Sequence, residues 1–272
     1  MSDPADGATP SLADWQPFTF GGVAAFARAG LGRLLLAEFV CALLLGGSTV
    51  WFLHRAYSPV IAEAIQKMPE TANIAAGRLE GFSETLIAES KFLAIAFTPE
   101  DSGPIGQSAD FQVQFRQTDF RVGSVFRPDW GCEFDYGPGA TLSLSRSILE
   151  PWWGAWHPIL LAAAGLATIA LLFGIWAGLA LIYTVPAKII AWTGDRELSW
   201  GEAWRLCSAS LLPGALLMGA ATFLYCWQAM DLIGVASFFV AHLLMGWVYF
   251  VGGVCVRPRL YPEADKPNPF IS

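Results

Sequence analysis

Four ionisable side chains in this chain sit in or beside long apolar runs, where a proton, a metal ion or a counter-charge has to be accounted for. Glu38 is the one acid in the run from Leu34 to Leu53, and His242 lies near the middle of the last run, between Asp231 and Arg257. His54 and His157 stand at the ends of two runs. A carboxylate inside a membrane is costly and marks an ion pathway, a proton relay or a paired structural group. Glu38 lies only about four residues, roughly 6 Å, from the inner end of its run, so it can snorkel to the interface or meet Arg33 or Lys188. That structural role is preferred to a relay. His242 could take a proton, a ligand or a metal, but the usual role of such a residue is one hydrogen bond to a neighbouring helix. Its depth of about 14 residues, roughly 20 Å, argues against pairing with Glu38. His54 and His157, joined by a carboxylate from the polar segment between them, would make a metal site. Without a fixed spacing they read first as interfacial residues.

Nucleophilic, metal-hydrolytic and nucleotide chemistry leave recognisable patterns, and none occurs. There is no GxSxG, HExxH, Walker A, GxGxxG or Ser-x-x-Lys arrangement. Ser237 and His242 share one run, but five residues apart on a helix they point about 140° away from each other. The five cysteines show no CxxC or Cys/His metal spacing, and Cys132 alone lies in the polar segment. No enzyme activity, metal or cofactor is expected.

The elements that carry these residues are set by charge. The stretches between Glu150 and Lys188, between Arg205 and Asp231, and between Asp231 and Arg257 contain no Asp, Glu, Lys or Arg. Runs of about 18 or more apolar residues are long enough to cross a hydrocarbon layer of roughly 30 Å as helices. The chain of 272 residues is 54% hydrophobic and 14% charged, whereas a soluble domain has about 25% charged residues. The sequence therefore predicts a membrane α-helical bundle of four spans with an inserted small, mostly-β extracytoplasmic domain. Its expected parts are a cytoplasmic segment 1–33, a first span 34–54, an extracytoplasmic α+β domain 55–150, a three-helix membrane bundle 151–256 and a cytoplasmic tail 257–272. The later spans centre on 157–183, 206–230 and 232–256. The 37 residues of Pro151–Ala187 are too few for a hairpin of two spans, which needs about 40 plus a turn.

Orientation follows from the bases. Arg28 and Arg33 precede the first span, Lys188, Arg196 and Arg205 separate the second from the third, and Arg257, Arg259 and Lys266 follow the fourth. Short cytoplasmic loops retain Lys and Arg, so both termini are expected inside. Tryptophan agrees: Trp51, Trp152, Trp153, Trp156 and Trp227 fall at outer ends, and Trp15, Trp192, Trp200 and Trp204 on the inner side. The polar N-terminal residues lack the form of a cleaved signal peptide, so the first span is expected to be retained.

The segment Tyr57–Glu150 holds 13 acids against 7 bases, which excludes the clustered Lys and Arg of a nucleic-acid surface. Helical spacing of Val60, Ile61, Ala64, Ile65 and Met68 predicts a helix before Pro69. Phe92–Phe97, Phe111–Phe115, Phe120–Val122 and Thr141–Leu144 read as strands, with turns at Gly103-Pro104 and Gly137-Pro138-Gly139. On the inner side Ser199-Trp200-Gly201-Glu202 has capping-box spacing and starts a helix that Pro213 is expected to kink or divide. Gly174 and Gly178, and Ala215 and Gly219, give small-xxx-small spacings, expected to pack inside the bundle.

This layout resembles the uncharacterised bacterial membrane family that includes maltodextrin-utilisation-associated proteins, in the style of Yip-type membrane bundles. The local likeness lies in Met68-Pro69-Glu70-Thr71-Ala72-Asn73-Ile74 with Gly77-Arg78-Leu79-Glu80, and in Glu197-Leu198-Ser199-Trp200-Gly201-Glu202-Ala203-Trp204-Arg205-Leu206 followed by Pro213. It covers roughly Leu34 to Val256 and implies architecture alone, with no catalytic residues to carry over. The expected function is that of a non-enzymatic sensor, scaffold or accessory subunit of a bacterial inner membrane, working through its extracytoplasmic domain. The alternative is a small oligomeric transporter or channel subunit lined by Glu38 and His242. Expected partners are the lipid bilayer and a membrane protein or a second copy, with no nucleic acid.

Overall fold

A computed structural model describes residues 16–82, 85–98, 109–124 and 127–259. The helices are α1 (Phe20–Arg28), α2 (Leu31–Phe52), a π-turn (Leu53–Tyr57) running into α3 (Ser58–Lys67), α4 (Arg146–Thr193), α5 (Trp200–Cys226) and α6 (Leu232–Cys255). Among the described residues between α3 and α4 lie eight strands: β1 (Asn73–Ala75), β2 (Arg78–Glu80), β3 (Leu86–Glu89), β4 (Leu93–Phe97), β5 (Phe111–Phe115), β6 (Asp119–Ser124), β7 (Arg127–Asp135) and β8 (Leu142–Ser143). Among the described residues, four helices are long and apolar enough to cross a membrane: Leu31–Lys67, Arg146–Thr193, Trp200–Cys226 and Leu232–Cys255. The Gly103-Pro104 turn, Trp15 and Lys266 lie outside the described residues.

The described residues form two compact units, one drawn from 1–47 and 166–272 and the other from 48–165. In the first, α5 is the helix around which the others gather. Small side chains make this so: Ala203, Cys207, Ser208, Ala209, Ser210, Gly214, Ala215 and Gly219 are all buried along it. Small residues allow helix backbones to approach closely. A Cβ on Gly214 would lie 2.6 Å from the His242 carbonyl oxygen of α6, and one on Gly219 would lie 2.9 Å from Leu45 of α2. Helix α4 adds the stripe Trp176, Ala180, Tyr183, Ala187 and Ala191, all buried in the same core. Those residues recur every three or four positions, which is one face of a helix.

Two expectations change here. Gly174 and Gly178 are surrounded by open space; they sit on the face of α4 opposite its buried stripe, because two residues rotate a helix by about 200°. Pro213 is accommodated inside one continuous α5 rather than dividing it. A further element, α1, was not expected. It is an amphipathic helix of about two and a half turns, capped by Thr19, whose hydroxyl accepts from Gly22 N at 3.1 Å, and it buries Val23, Phe26 and Ala27 against α5 and α6.

The second unit has its own core, formed by Val60, Ala64 and Met68 of α3 with Ile74, Leu79, Leu93, Ile95, Phe97 and Tyr136. A three-stranded sheet has the order β2-β1-β8, and a five-stranded mixed sheet the order β3-β4-β5-β6-β7 with β4 and β5 parallel. Every residue of β4 is buried, as expected of a central strand covered on both faces. Register aligns Phe97, Phe115, Phe120 and Phe134 across four strands. Their rings stack in sequence at 4.5, 5.8 and 4.9 Å, and such cross-strand aromatic pairs stabilise a sheet. The strand ends are tied by Arg116, which meets Asp119 at 2.6 Å and Glu133 at 2.8 Å, while Tyr136 Oη donates to the Arg116 carbonyl at 3.1 Å.

The close contact at Gly214 leads us to expect that Gly214→Ala lowers the stability of the helical unit by about 1–3 kcal/mol through overpacking. Gly178→Ala should leave it unchanged or raise it by up to ~1 kcal/mol, by helix propensity alone; thermal unfolding of both variants in one detergent measures the contrast. In the β unit, burial and the neighbouring Asp119 carboxylate push the Tyr136 phenol above the ordinary tyrosine range. Its folded-state value is raised, so its contribution is complete below about pH 10 and is lost as pH rises through the folded value. Tyr136→Phe should cost about 1 kcal/mol at neutral pH and flatten the alkaline loss seen in a pH series of melts.

Candidate functional site

Three polar constellations emerge once the helices are in place. The first holds Glu38. This side chain is 4% exposed, and Ser208 Oγ of α5 donates to its Oε1 at 2.5 Å. The carboxylate therefore does not snorkel, and its partner is neither Arg33 nor Lys188. Lys188 instead donates to the Leu198 carbonyl at 2.5 Å and lies 5.5 Å from the centre of the Trp200 ring. An interhelical bond between a carboxyl and a hydroxyl is the ordinary glue of helices packed without water. Cys41 and Cys207 flank the pair in the same buried core.

His242 has a different environment from the one expected. It is half-buried, and its Nδ1 lies 2.5 Å from the Phe239 carbonyl of its own helix, so its bond is not to a neighbouring helix. Its backbone, rather than its ring, is what touches α5, through Gly214. Glu38 and His242 are not brought together.

A second constellation closes one end of the helical unit. The Ser199 capping box forms, with Ser199 N donating to Glu202 Oε2 at 2.8 Å and Glu202 N to Ser199 Oγ at 3.3 Å. Arg257, 3% exposed, donates through Nη2 to Glu202 Oε1 at 2.9 Å and to the Glu197 carbonyl at 3.2 Å. The Arg257 carbonyl in turn accepts from Arg196 Nη1. Arg205 donates through Nε and Nη2 to the Ala27 carbonyl at 3.0 and 2.8 Å, capping the end of α1. These bases satisfy carbonyls that helix ends leave open. The sequence shows them only as orienting charges; their partners are contributed by distant segments.

The third constellation lies in the β unit. The sequence places His54 and His157 apart, and the fold stacks their rings at 5.5 Å. Trp153 lies on His157 at 4.7 Å, and Ser58 Oγ is 2.8 Å from His157 Nε2. The π-turn makes this meeting geometrically natural, since such turns re-aim side chains and cluster at functional sites. Among the described residues, no carboxylate touches either imidazole, and no group of three His, Cys, Asp or Glu is placed to hold a metal ion. Ser58 and His157 stand as a hydroxyl and a base in contact, without the orienting acid that nucleophilic catalysis employs.

Comparison of the chain with protein-family models, with curated proteins and with solved structures finds no match. Fold and polar sites together define the class: a mostly helical protein with four helices able to span a membrane and a small β-sheet unit. Such a helix set suggests a membrane protein.

Ser208 gave no signal beyond being a hydroxyl in a charge-free stretch. Its Ser208→Ala variant leaves the buried Glu38 carboxyl without its donor and should cost about 1–3 kcal/mol. Glu38→Gln, which keeps an acceptor for Ser208, should cost about 1 kcal/mol or less. Chemical unfolding of the two variants in micelles reads the difference; equal losses would count against the hydrogen bond.

Proposed function

We propose that this chain is a four-span protein of a bacterial inner membrane, with both termini inside and its β unit outside the cytoplasm. In this reading it is a non-enzymatic sensor, scaffold or accessory subunit, whose β unit engages the signal or partner while the helices anchor it. The observation that carries the proposal is the contrast between the two units. The apolar helices expose leucine, isoleucine and valine side chains such as Leu36, Leu171, Leu181, Ile182, Leu244 and Val248, as a lipid-facing surface does, while Glu38 is satisfied internally by Ser208. The β unit has a separate core, aromatic ladder and ion-pair clamp. A folded unit of this kind on membrane helices supports recognition outside rather than passage through. The resemblance to the maltodextrin-utilisation-associated family belongs to the same proposal and supplies architecture alone.

Cysteine labelling tests the placement. Cys132 on β7 and Cys255 at the end of α6 are both exposed and free. A membrane-impermeant maleimide applied to intact cells from which the outer barrier has been removed should label Cys132 and spare Cys255, and detergent should make both reactive. Labelling of Cys255 but not Cys132 in sealed cells would reverse the orientation. In the same membranes, crosslinking followed by isolation should recover a reproducible partner or second copy, and recovery of a lone chain would argue against a scaffold.

A further inference from the structure

The five-stranded sheet and the ends of two candidate spans belong to one compact unit, residues 48–165, so contacts fix the height of the sheet against those ends. Phe52, the last residue of α2, packs edge-on against Phe92 at 5.8 Å and against Tyr57 at 5.3 Å. The Asp110 carboxylate acts electrostatically on Tyr57. Asp110 N donates to the Lys91 carbonyl at 2.9 Å, and Phe111 N to the Phe92 carbonyl at 3.1 Å. The row Leu93–Phe111–Ser124 that begins here is therefore the end of the sheet nearest the spans. On α4, His157 Nε2 lies 2.8 Å from Ser58 Oγ, which brings the turn carrying Trp152, Trp153 and Trp156 to the same level.

That end of the sheet presents an aromatic ring. Phe111 is 38% exposed, while Leu93 beside it is buried. Helix α3 packs on β3 and β4, and the apolar face continues past it through Phe111, Val122 and Phe134, all exposed. At the matching height of α4, Trp152 and Trp156 are exposed as well. Aromatic rings at span ends settle in the headgroup layer of a bilayer, and phenylalanine does the same on surfaces that lie in the interface. The charged residues bordering the row are of both signs. Arg55, Lys91 and Arg127, the last opposite Ser124 in register, stand against Glu89 and the buried Asp110. A mixed border of this kind selects no strongly charged ligand, so an apolar contact is what the row offers.

We propose that the Phe111 end of the sheet is seated in the outer headgroup layer, a lipid-contact surface that continues the aromatic belt of the spans onto the β unit. The occupant is the bilayer itself, because the row stands at the height where α2 ends and α4 presents its tryptophans. Strands rise about 3.3 Å per residue, and neighbouring rows on one face are two residues apart. The row of Val113, Val122 and Cys132 therefore lies up to roughly 7 Å farther out, and the row of Phe115, Phe120 and Phe134 up to roughly 13 Å. Phe134 stands at the end away from the bilayer, which leaves that end of the sheet for a partner. The seat deepens the placement proposed above and rests on the four-span reading.

Fluorophores on single cysteines measure the depth of each row. In Cys255→Ser, the fluorophore NBD attaches to the native Cys132, because Cys41, Cys207 and Cys226 are buried. Adding Cys132→Ser with Phe111→Cys or Phe134→Cys moves it to the first or the third row. The full chain is reconstituted in vesicles of phosphatidylethanolamine and phosphatidylglycerol containing lipids spin-labelled on the headgroup or on the acyl chain, whose relative quenching gives the depth. The label at 111 should lie within the headgroup layer, with those at 132 and 134 up to roughly 7 and 13 Å farther out and quenched progressively less. If Phe111→Cys fails to fold, Ser124→Cys places the label in the same row. Equal, weak quenching at all three positions overturns the seat and leaves the four-span reading standing. Alkaline extraction of the vesicles tests that reading separately, and release of the chain overturns both. Graded quenching in a protein whose Cys132 proves to be cytoplasmic would keep the seat on the opposite leaflet and overturn the orientation alone.

Discussion

How closely its neighbours can approach α5 governs the helical unit. Helices that pack without water between them gain from van der Waals contact and interhelical hydrogen bonds rather than from hydrophobic burial. Close approach therefore decides which polar groups can meet. The glycine at 214 lets the α6 backbone come against α5 at His242, and the small residues of the preceding turns give Ser208 access to Glu38. The same helix is sealed at its start by a network in which Glu202 both closes the capping box and receives Arg257.

That network gives the basic residues a second role. Bases at the ends of apolar helices orient a chain in a membrane. Here Lys188, Arg196 and Arg205 also donate to the carbonyls of Leu198, Arg257 and Ala27. Helix ends, which leave carbonyls open, and charges, which seek acceptors, solve each other's problem. These bonds give α1 and residues 256–259 partners on distant segments, although neither stretch is long enough to form stable structure in isolation.

The β unit uses different means. Its sheet is held by aromatic rings in register and by Arg116 bridging two carboxylates, and its polar network is concentrated where the π-turn faces α4. Burial makes Tyr136 of this unit costly to ionise. The helical unit has its buried carboxyl locked to a hydroxyl.

Much of the helix inventory was legible in the sequence, because hydropathy and capping are local sums over neighbouring residues. Four long apolar helices, the Ser199–Glu202 box, the helix before Pro69 and the strands at Leu93–Phe97 and Phe111–Phe115 could all be read from composition and period. What the local pattern could not supply was partnership. Ser208 is 170 residues from Glu38, and His157 is 99 residues from Ser58; no periodicity links positions so far apart. Helix α1 escaped notice because nine residues with two glycines have little intrinsic helicity and depend on α5 and α6 for support. Gly174 and Gly178 show the converse: the spacing permits a close helix contact, but the face on which it falls was decided by the stripe from Trp176 to Ala191 that the tertiary packing chose to bury. Sequence determined which segments are apolar and where they begin; the folded chain alone decided which polar groups they bring together.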